Sequence, residues 1–82
     1  MKIKFLNYEV ETFHGKGKKE LHMCELLINE YKNYKFKYSY TKNPDIIFTC
    51  IQLLNGVMFY LQHLVDMQIL SVNQVMDIIK DL

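Results

Sequence analysis

Alternating hydrophobic and polar positions at the start of the chain predict a β-strand with one irregularity. Between residues 2 and 13, Ile3 and Phe5 point to one face, whereas Leu6, Tyr8 and Val10 point to the other. The change of phase after Phe5 indicates a bulge, or a strand that is covered on both faces. The segment 14–19 that follows is rich in glycine and lysine and predicts a loop.

Hydrophobic residues then recur at helical spacing and afterwards alternate. The first pattern predicts a helix over residues 19–33, with Asn33 as its stop signal. The second pattern predicts a strand over residues 34–41, with lysine, serine and threonine on its other face. Its aromatic face consists of Tyr34, Phe36, Tyr38 and Tyr40.

Capping residues in the second half of the chain predict the starts of two helices. Asn43 can cap a helix that begins at Pro44 and runs to about residue 68. Ser71 and Gln74 form a capping box at the start of a last helix. The predicted fold is therefore α+β in the order β-α-β-α-α, one small domain over residues 1–82. In it, a two-stranded sheet packs on helices that include a long central helix.

The strand pairing stays open at this stage. A gap of about 20 residues filled by a helix favours a parallel crossover, although an antiparallel pair also fits. Either sheet leaves unpaired edges, and a homodimer that joins two small sheets is one way to cover them.

Composition narrows the class of protein. The chain has 82 residues, 50% of them hydrophobic, and contains no Ala, Arg or Trp. This length and apolar content exclude a multidomain enzyme, a repeat array and a disordered tail. Abundant Lys, Ile, Asn and Tyr indicate AT-biased coding. Cys24 and Cys50 are far apart and the N-terminus lacks the apolar run of a signal peptide, so we expect free thiols and a cytoplasmic location.

The central helix raises the question of a membrane span. No Asp, Glu, Lys or Arg lies between Asp45 and Asp66, which is long enough to cross a bilayer. However, its polar residues share one arc of the helix, which favours a central helix with a polar stripe. Phe48 and Phe59 interrupt this stripe. Together with Gln52 and His63 they predict a partner-binding surface, and the alternative is that both phenylalanines belong to the core.

Lysines supply the alternative function, nucleic-acid binding. The net charge of +1 divides into +4 for residues 1–43 and −3 for residues 44–82. Lys16, Lys18 and Lys19 lie in the glycine loop, and Lys35 and Lys37 share a face of the strand predicted over 34–41. The loop lacks the Ser or Thr of a P-loop, and it can equally be a solvated loop without a ligand. The absence of arginine removes the bidentate contact to guanine.

No motif indicates catalysis, a metal site or a cofactor. The cysteines and histidines lack zinc-ligand spacing, and no residue pattern defines a nucleophile with its base. The sequence therefore predicts a small, non-enzymatic protein-binding module. The AT-biased coding and solitary domain would suit a phage or mobile-element product that inhibits or regulates a host protein.

Overall fold

Residues 2–11 form a β-hairpin rather than one irregular strand. In the computed structural model, which describes residues 1–82, strands β1 (Lys2–Phe5) and β2 (Tyr8–Glu11) pair antiparallel, with Phe5 opposite Tyr8. Leu6 and Asn7 make the turn, and Leu6 adopts a positive φ of 53°. The change of phase after Phe5 is thus a reversal of the chain and not a bulge. The sheet is antiparallel, and both of its strands precede the first helix.

A short 3₁₀ turn, Phe13–Gly15, leads into helix α1, which spans Lys18–Thr41. The strand predicted over residues 34–41 is therefore wrong, and Asn33 does not stop the helix. Aromatic residues have high β-propensity, but a helix interior costs them only about 0.5 kcal/mol each relative to Ala. Packing against a neighbouring helix outweighs that cost.

The packing face of α1 has its own spacing, which alternates steps of three and four residues. Positions at this spacing face the next helix and are buried or half-buried, whereas the other residues after 31 are exposed. The residues of this face that are buried or half-buried are Cys24, Leu27, Tyr31, Tyr34 and Tyr38. Of the four aromatic residues that alternate with polar ones, Tyr34 and Tyr38 face the neighbouring helix. They are four residues apart, so the same sequence fits both the alternation of a strand and the spacing of a helix.

Helices α2 (Pro44–Asp66) and α3 (Val72–Lys80) begin at the predicted residues. The Asn43 side chain accepts a hydrogen bond from the N–H of Asp45 at 3.0 Å. At α3, the Gln74 N–H donates to the Ser71 hydroxyl at 3.1 Å, and Gln74 Oε1 accepts from the Ser71 N–H at 2.9 Å. Both predicted caps are confirmed.

The hydrophobic core lies at one end of an elongated molecule that measures 43 × 21 × 19 Å. Side chains from the hairpin and from all three helices meet there. Its members are Phe5, Val10, Leu21, Cys24, Ile28, Val57, Leu61, Leu64, Leu70 and Ile78. The antiparallel α1–α2 pair extends beyond this core as an arm, defined here as residues 29–56, and no residue of the arm is buried.

The predicted α+β class, with a two-stranded sheet packed on helices and a long central helix, is confirmed. The element order is β-β-α-α-α instead of β-α-β-α-α. The error has two sources: residues 34–41 extend α1, and the second strand lies within the first eleven residues.

Candidate protein-binding surface

Helix α2 carries large apolar side chains that nothing in the chain covers. One side of the helix packs on α1, and the opposite side faces outward. Apolar side chains that are at least about one-third exposed on α2 are Ile47, Phe48, Ile51, Met58 and Phe59. A row of this kind on one helix is typical of an interaction surface, because isolated proteins seldom expose contiguous apolar patches of several hundred Å².

The two phenylalanines that interrupt the polar stripe are not core residues. Phe48 is 64% exposed and Phe59 is 69% exposed. At 100° per residue they lie about 20° apart around the helix and about 16 Å apart along it. The Phe59 ring stacks on the His63 imidazole with centroids 6.5 Å apart, and Gln52 is exposed between the two phenylalanines. The structure therefore brings all four predicted partner-binding residues to one outward face.

The spacing within α2 reveals two parallel apolar rows, one residue apart. The inner row packs on α1 and comprises Ile46, Cys50, Leu53, Val57, Tyr60 and Leu64. The outer row comprises Ile47, Ile51, Leu54, Met58, Leu61 and Val65. Both rows follow the alternating steps of four and three that mark a helix-packing seam. The outer row is a packing pattern that sequence analysis missed, and its spacing would have revealed it; Leu61 of this row is buried in the core, whereas Ile47, Ile51 and Met58 are exposed.

Helix α2 is also the one helix long and apolar enough to cross a membrane, judged by length and composition. Only 11% of its most apolar stretch is buried within the chain. The outward face nevertheless carries Gln52 and Asn55 between the phenylalanines and His63 just beyond Phe59. Burying such groups in lipid without hydrogen-bond partners costs several kcal/mol each, as an order of magnitude. This mixture of polar and aromatic groups fits a protein surface better.

The two lysines expected to share a face do not do so. Because residues 34–41 are helical, Lys35 and Lys37 lie about 160° apart around α1. Nζ of Lys35 donates a hydrogen bond to the carbonyl of Leu82 at 2.6 Å, whereas Nζ of Lys37 lies 5.3 Å from the Tyr34 ring centroid. A shared basic face at this point is therefore absent.

The glycine loop has a structural explanation. Gly17 is buried and adopts a φ of 82°, and a Cβ at this position would collide with the Cδ1 of Ile69. Gly17 thus lets the loop pass closely beneath the α2–α3 connection. The neighbouring residues Lys16, Lys18 and Lys19 are exposed. None of the three forms an ion pair.

No family model matches the chain, and neither a curated protein nor a solved structure is significantly similar to it.

A cleft of about 290 Å³ lies between the hairpin, α1 and α3, with Glu25, Lys32 and Asp81 among its lining residues. No group of three or more His, Cys, Asp or Glu side chains is placed to hold a metal ion. The cleft does not involve Phe48 or Phe59, whose exposure is not explained by packing within the chain.

Proposed function

We propose that this protein is a small, non-catalytic module that binds another protein through the outward face of α2 and thereby regulates it. The observation that carries the proposal is the exposure of Phe48 and Phe59, at 64% and 69%, among hydrogen-bonding side chains. Rigid aromatic side chains dominate the energetics of many interfaces, because they bury large areas at a small entropic cost.

The arrangement of the face also supports this function. Gln52 lies between the two phenylalanines and His63 one turn beyond Phe59, and both side chains offer hydrogen bonds beside the aromatic rings. The partner that fits is a protein surface with two apolar pockets about 16 Å apart, which is the axial spacing of Phe48 and Phe59. A cytoplasmic partner is consistent with the free thiols Cys24 and Cys50.

Nucleic-acid binding, the alternative function, has less support. The divergence of Lys35 and Lys37 divides the basic surface that this function requires, and tight phosphate tracking needs a continuous positive groove. The binding of a protein requires no continuous positive groove, since most of the binding energy would come from Phe48 and Phe59 on the outward face of α2.

The test is capture of the partner from cells of the source organism by the tagged protein, followed by affinity measurement with the identified partner. The double variant Phe48→Asp/Phe59→Asp should weaken binding at least 30-fold, about 2 kcal/mol. Its circular dichroism spectrum should not change, because both rings are exposed.

Phe13→Asp is the matched control, because Phe13 is 79% exposed but lies in the 3₁₀ turn. This variant should retain full affinity. Equal losses in Phe13→Asp and in the double variant, or unfolding of the double variant, would refute the assignment of the α2 face.

A further inference from the structure

The free end of the arm carries exposed aromatic rings. This end, called here the tip, consists of residues 35–48, which comprise the end of α1, the connection and the start of α2. Phe36, Tyr40 and Phe48 are 71%, 63% and 64% exposed. The Phe36 and Tyr40 rings contact each other edge to face, with their centroids 5.7 Å apart. Nothing in the chain covers these three rings.

The rings surround the tip instead of sharing one face. Tyr34 and Tyr38 face α2, and at 100° per residue Phe36 lies about 160° from either of them around α1. Phe48 lies at the same angle from Cys50, which packs on α1. Phe36 and Phe48 are therefore on opposite edges of the two-helix arm.

The three rings also lie within a thin slice at the end of the arm. At 1.5 Å per residue, Tyr40 lies about 2 Å, Phe48 about 6 Å and Phe36 about 8 Å from the tip-side end of its own helix. Phe59 lies about 22 Å from the start of α2. A flat surface that meets the arm end-on can therefore contact all three rings at once, whereas a pocket on one side of the arm reaches only one edge.

The tip carries a positive charge that the rest of the chain does not share. Lys35, Lys37 and Lys42 against Asp45 give residues 35–48 a charge of +2, so the remaining residues sum to −1. None of the three lysines forms an ion pair. The tip is therefore complementary to a negatively charged surface.

Two of these lysines lie beside aromatic rings. Nζ of Lys37 is 5.3 Å from the Tyr34 ring centroid, and Nζ of Lys42 is 5.2 Å from that of Tyr38. An ammonium group over the face of a ring keeps its other side open to an anion. Both groups can therefore bind anionic oxygen atoms without the loss of an existing ion pair.

We infer that the tip docks end-on onto a membrane surface that contains anionic lipids. The headgroups attract the lysines, and aromatic side chains favour the boundary between headgroups and acyl chains. Amphipathic segments enter this boundary to a depth of about 5–10 Å, which is the depth over which the three rings are spread. The contact is separate from the protein-binding face of α2, and only Phe48 belongs to both.

The divergence of the lysines favours a membrane over a nucleic acid. Lys35 and Lys37 lie about 160° apart around α1, which interrupts the track that a phosphate backbone follows. Around an arm that stands upright on a flat surface, every side of the helix reaches the same layer of headgroups. Lysines and rings on opposite edges of the tip can then bind at the same time.

The polar groups of the tip suit the headgroup layer. The hydroxyls of Ser39 and Thr41 donate to the carbonyls of Phe36 and Lys37 at 2.5 Å and 2.9 Å, so they keep their partners when water is displaced. The last carbonyls of a helix have no partner within it and need water or headgroups. The tip therefore stays in the headgroup layer and does not enter the hydrocarbon.

Flotation of the full chain with lipid vesicles tests the charge. The protein should float with vesicles that contain phosphatidylserine and much less with phosphatidylcholine alone, and salt should release it. Lys37→Gln/Lys42→Gln should weaken binding about 25-fold, because each lysine near an anionic surface contributes about fivefold. Lys16→Gln/Lys18→Gln removes the same charge at the opposite end of α1 and is the matched control, with an expected loss below about threefold.

The aromatic pair separates this inference from the proposed function. Phe36→Ala/Tyr40→Ala should weaken vesicle binding at least about tenfold and leave the circular dichroism spectrum unchanged, because both rings are exposed. The same variant should keep its affinity for the protein partner. Phe59→Asp should show the opposite behaviour, with unchanged vesicle binding, so each proposal can fail without the other.

Tryptophan reporters locate the contact, since the chain contains no Trp. Lipids brominated on their acyl chains should quench Tyr40→Trp and Phe48→Trp, on opposite edges of the tip, and should not quench Phe59→Trp. Quenching at only one of positions 40 and 48, or at position 59, would overturn the end-on geometry. Absence of flotation with phosphatidylserine, equal losses in the two lysine pairs, or binding of single-stranded DNA in place of vesicles would overturn the inference as a whole.

Discussion

The main-chain N–H of Leu6, at the turn of the hairpin, donates a hydrogen bond to Oε1 of Glu25 in α1, and the two atoms are 3.0 Å apart. Leu6 lies outside the strand ladder at a φ of 53°, so its N–H has no ladder partner. The carboxylate thus holds the turn of a two-stranded sheet, which is marginal by itself, against the first helix.

This hydrogen bond predicts a strong effect from a single side chain. Glu25→Ala should lower the free energy of unfolding by about 2 kcal/mol, the range for a part-buried bond to a charged acceptor. Glu25→Gln keeps an acceptor oxygen and should lose less. Urea denaturation measures both changes. Glu30→Ala, an exposed glutamate of the same helix, is the control and should shift stability by less than about 0.5 kcal/mol. An equal effect in the control would show that the loss comes from helix charge.

Gly17 predicts a second effect, on the loop that precedes α1. Gly17→Ala should cost about 2–3 kcal/mol, because the residue has a φ of 82° and its Cβ would collide with Ile69. Gly15→Ala is the matched control: Gly15 has a φ of 73°, but its Cβ would approach only the Met1 sulfur, at 3.1 Å. Thermal unfolding should show a larger loss for Gly17→Ala. Equal losses would mean that φ alone matters and that the contact with Ile69 does not.

The two thiols should differ in reactivity. Burial, with a smaller contribution from the neighbouring Glu25 carboxylate, raises the pKa of the Cys24 thiol from 9.0 to about 12. Since the thiolate is the reactive form, iodoacetamide at pH 8 should modify the half-buried Cys50 in the native protein and spare Cys24. Mass spectrometry of digested peptides gives the result. Modification of Cys24 at the rate of Cys50 would contradict its burial.

The same shift predicts how stability depends on pH. The folded state keeps the Cys24 thiol neutral after the unfolded state has begun to lose its proton, so its contribution is complete below pH 9 and falls as the pH rises toward 12. The stability advantage of the native chain over Cys24→Ala should shrink by at most about 1.4 kcal/mol per pH unit in that window. A flat difference for Cys24→Ala across this window would contradict the shift.

Thr12 offers a gain in stability. Its side chain is buried at 6% exposure, and its hydroxyl oxygen has no hydrogen-bond partner. Thr12→Val replaces that hydroxyl with a methyl group of similar shape and should stabilise the fold by about 1 kcal/mol, or a Tm increase of roughly 4–8 °C. Thr49→Val, whose hydroxyl donates to the Asp45 carbonyl at 3.2 Å, is the comparison and should give no such gain.

Local chemistry explains which elements could be predicted from the sequence. The starts of α2 and α3 depend on hydrogen bonds between near neighbours, those of Asn43 and Ser71, and such bonds are visible in the residue order. The identity of residues 34–41 depends instead on α2, which packs against Tyr34 and Tyr38 and makes a helix preferable to a strand. The hairpin turn was missed because Leu6 adopts a positive φ where glycine or asparagine is usual.

The candidate surface was predictable in part. The break in the polar stripe located Phe48 and Phe59, but periodicity could not decide between core and surface, because that depends on which elements cover α2. The prediction that Lys35 and Lys37 share a face was wrong because it depended on a strand over residues 34–41, which are helical. The outer row of α2 depends only on spacing, so the sequence contained it.

The arm has a consequence for how the surface can change over time. Since no side chain between Ile28 and Val57 is buried, substitutions on the outside of this stretch remove little packing from the folded state. The core at the other end, together with the caps at Asn43 and Ser71, maintains the fold. The exposed side chains of the arm can therefore vary in sequence while the threshold for folding is still met.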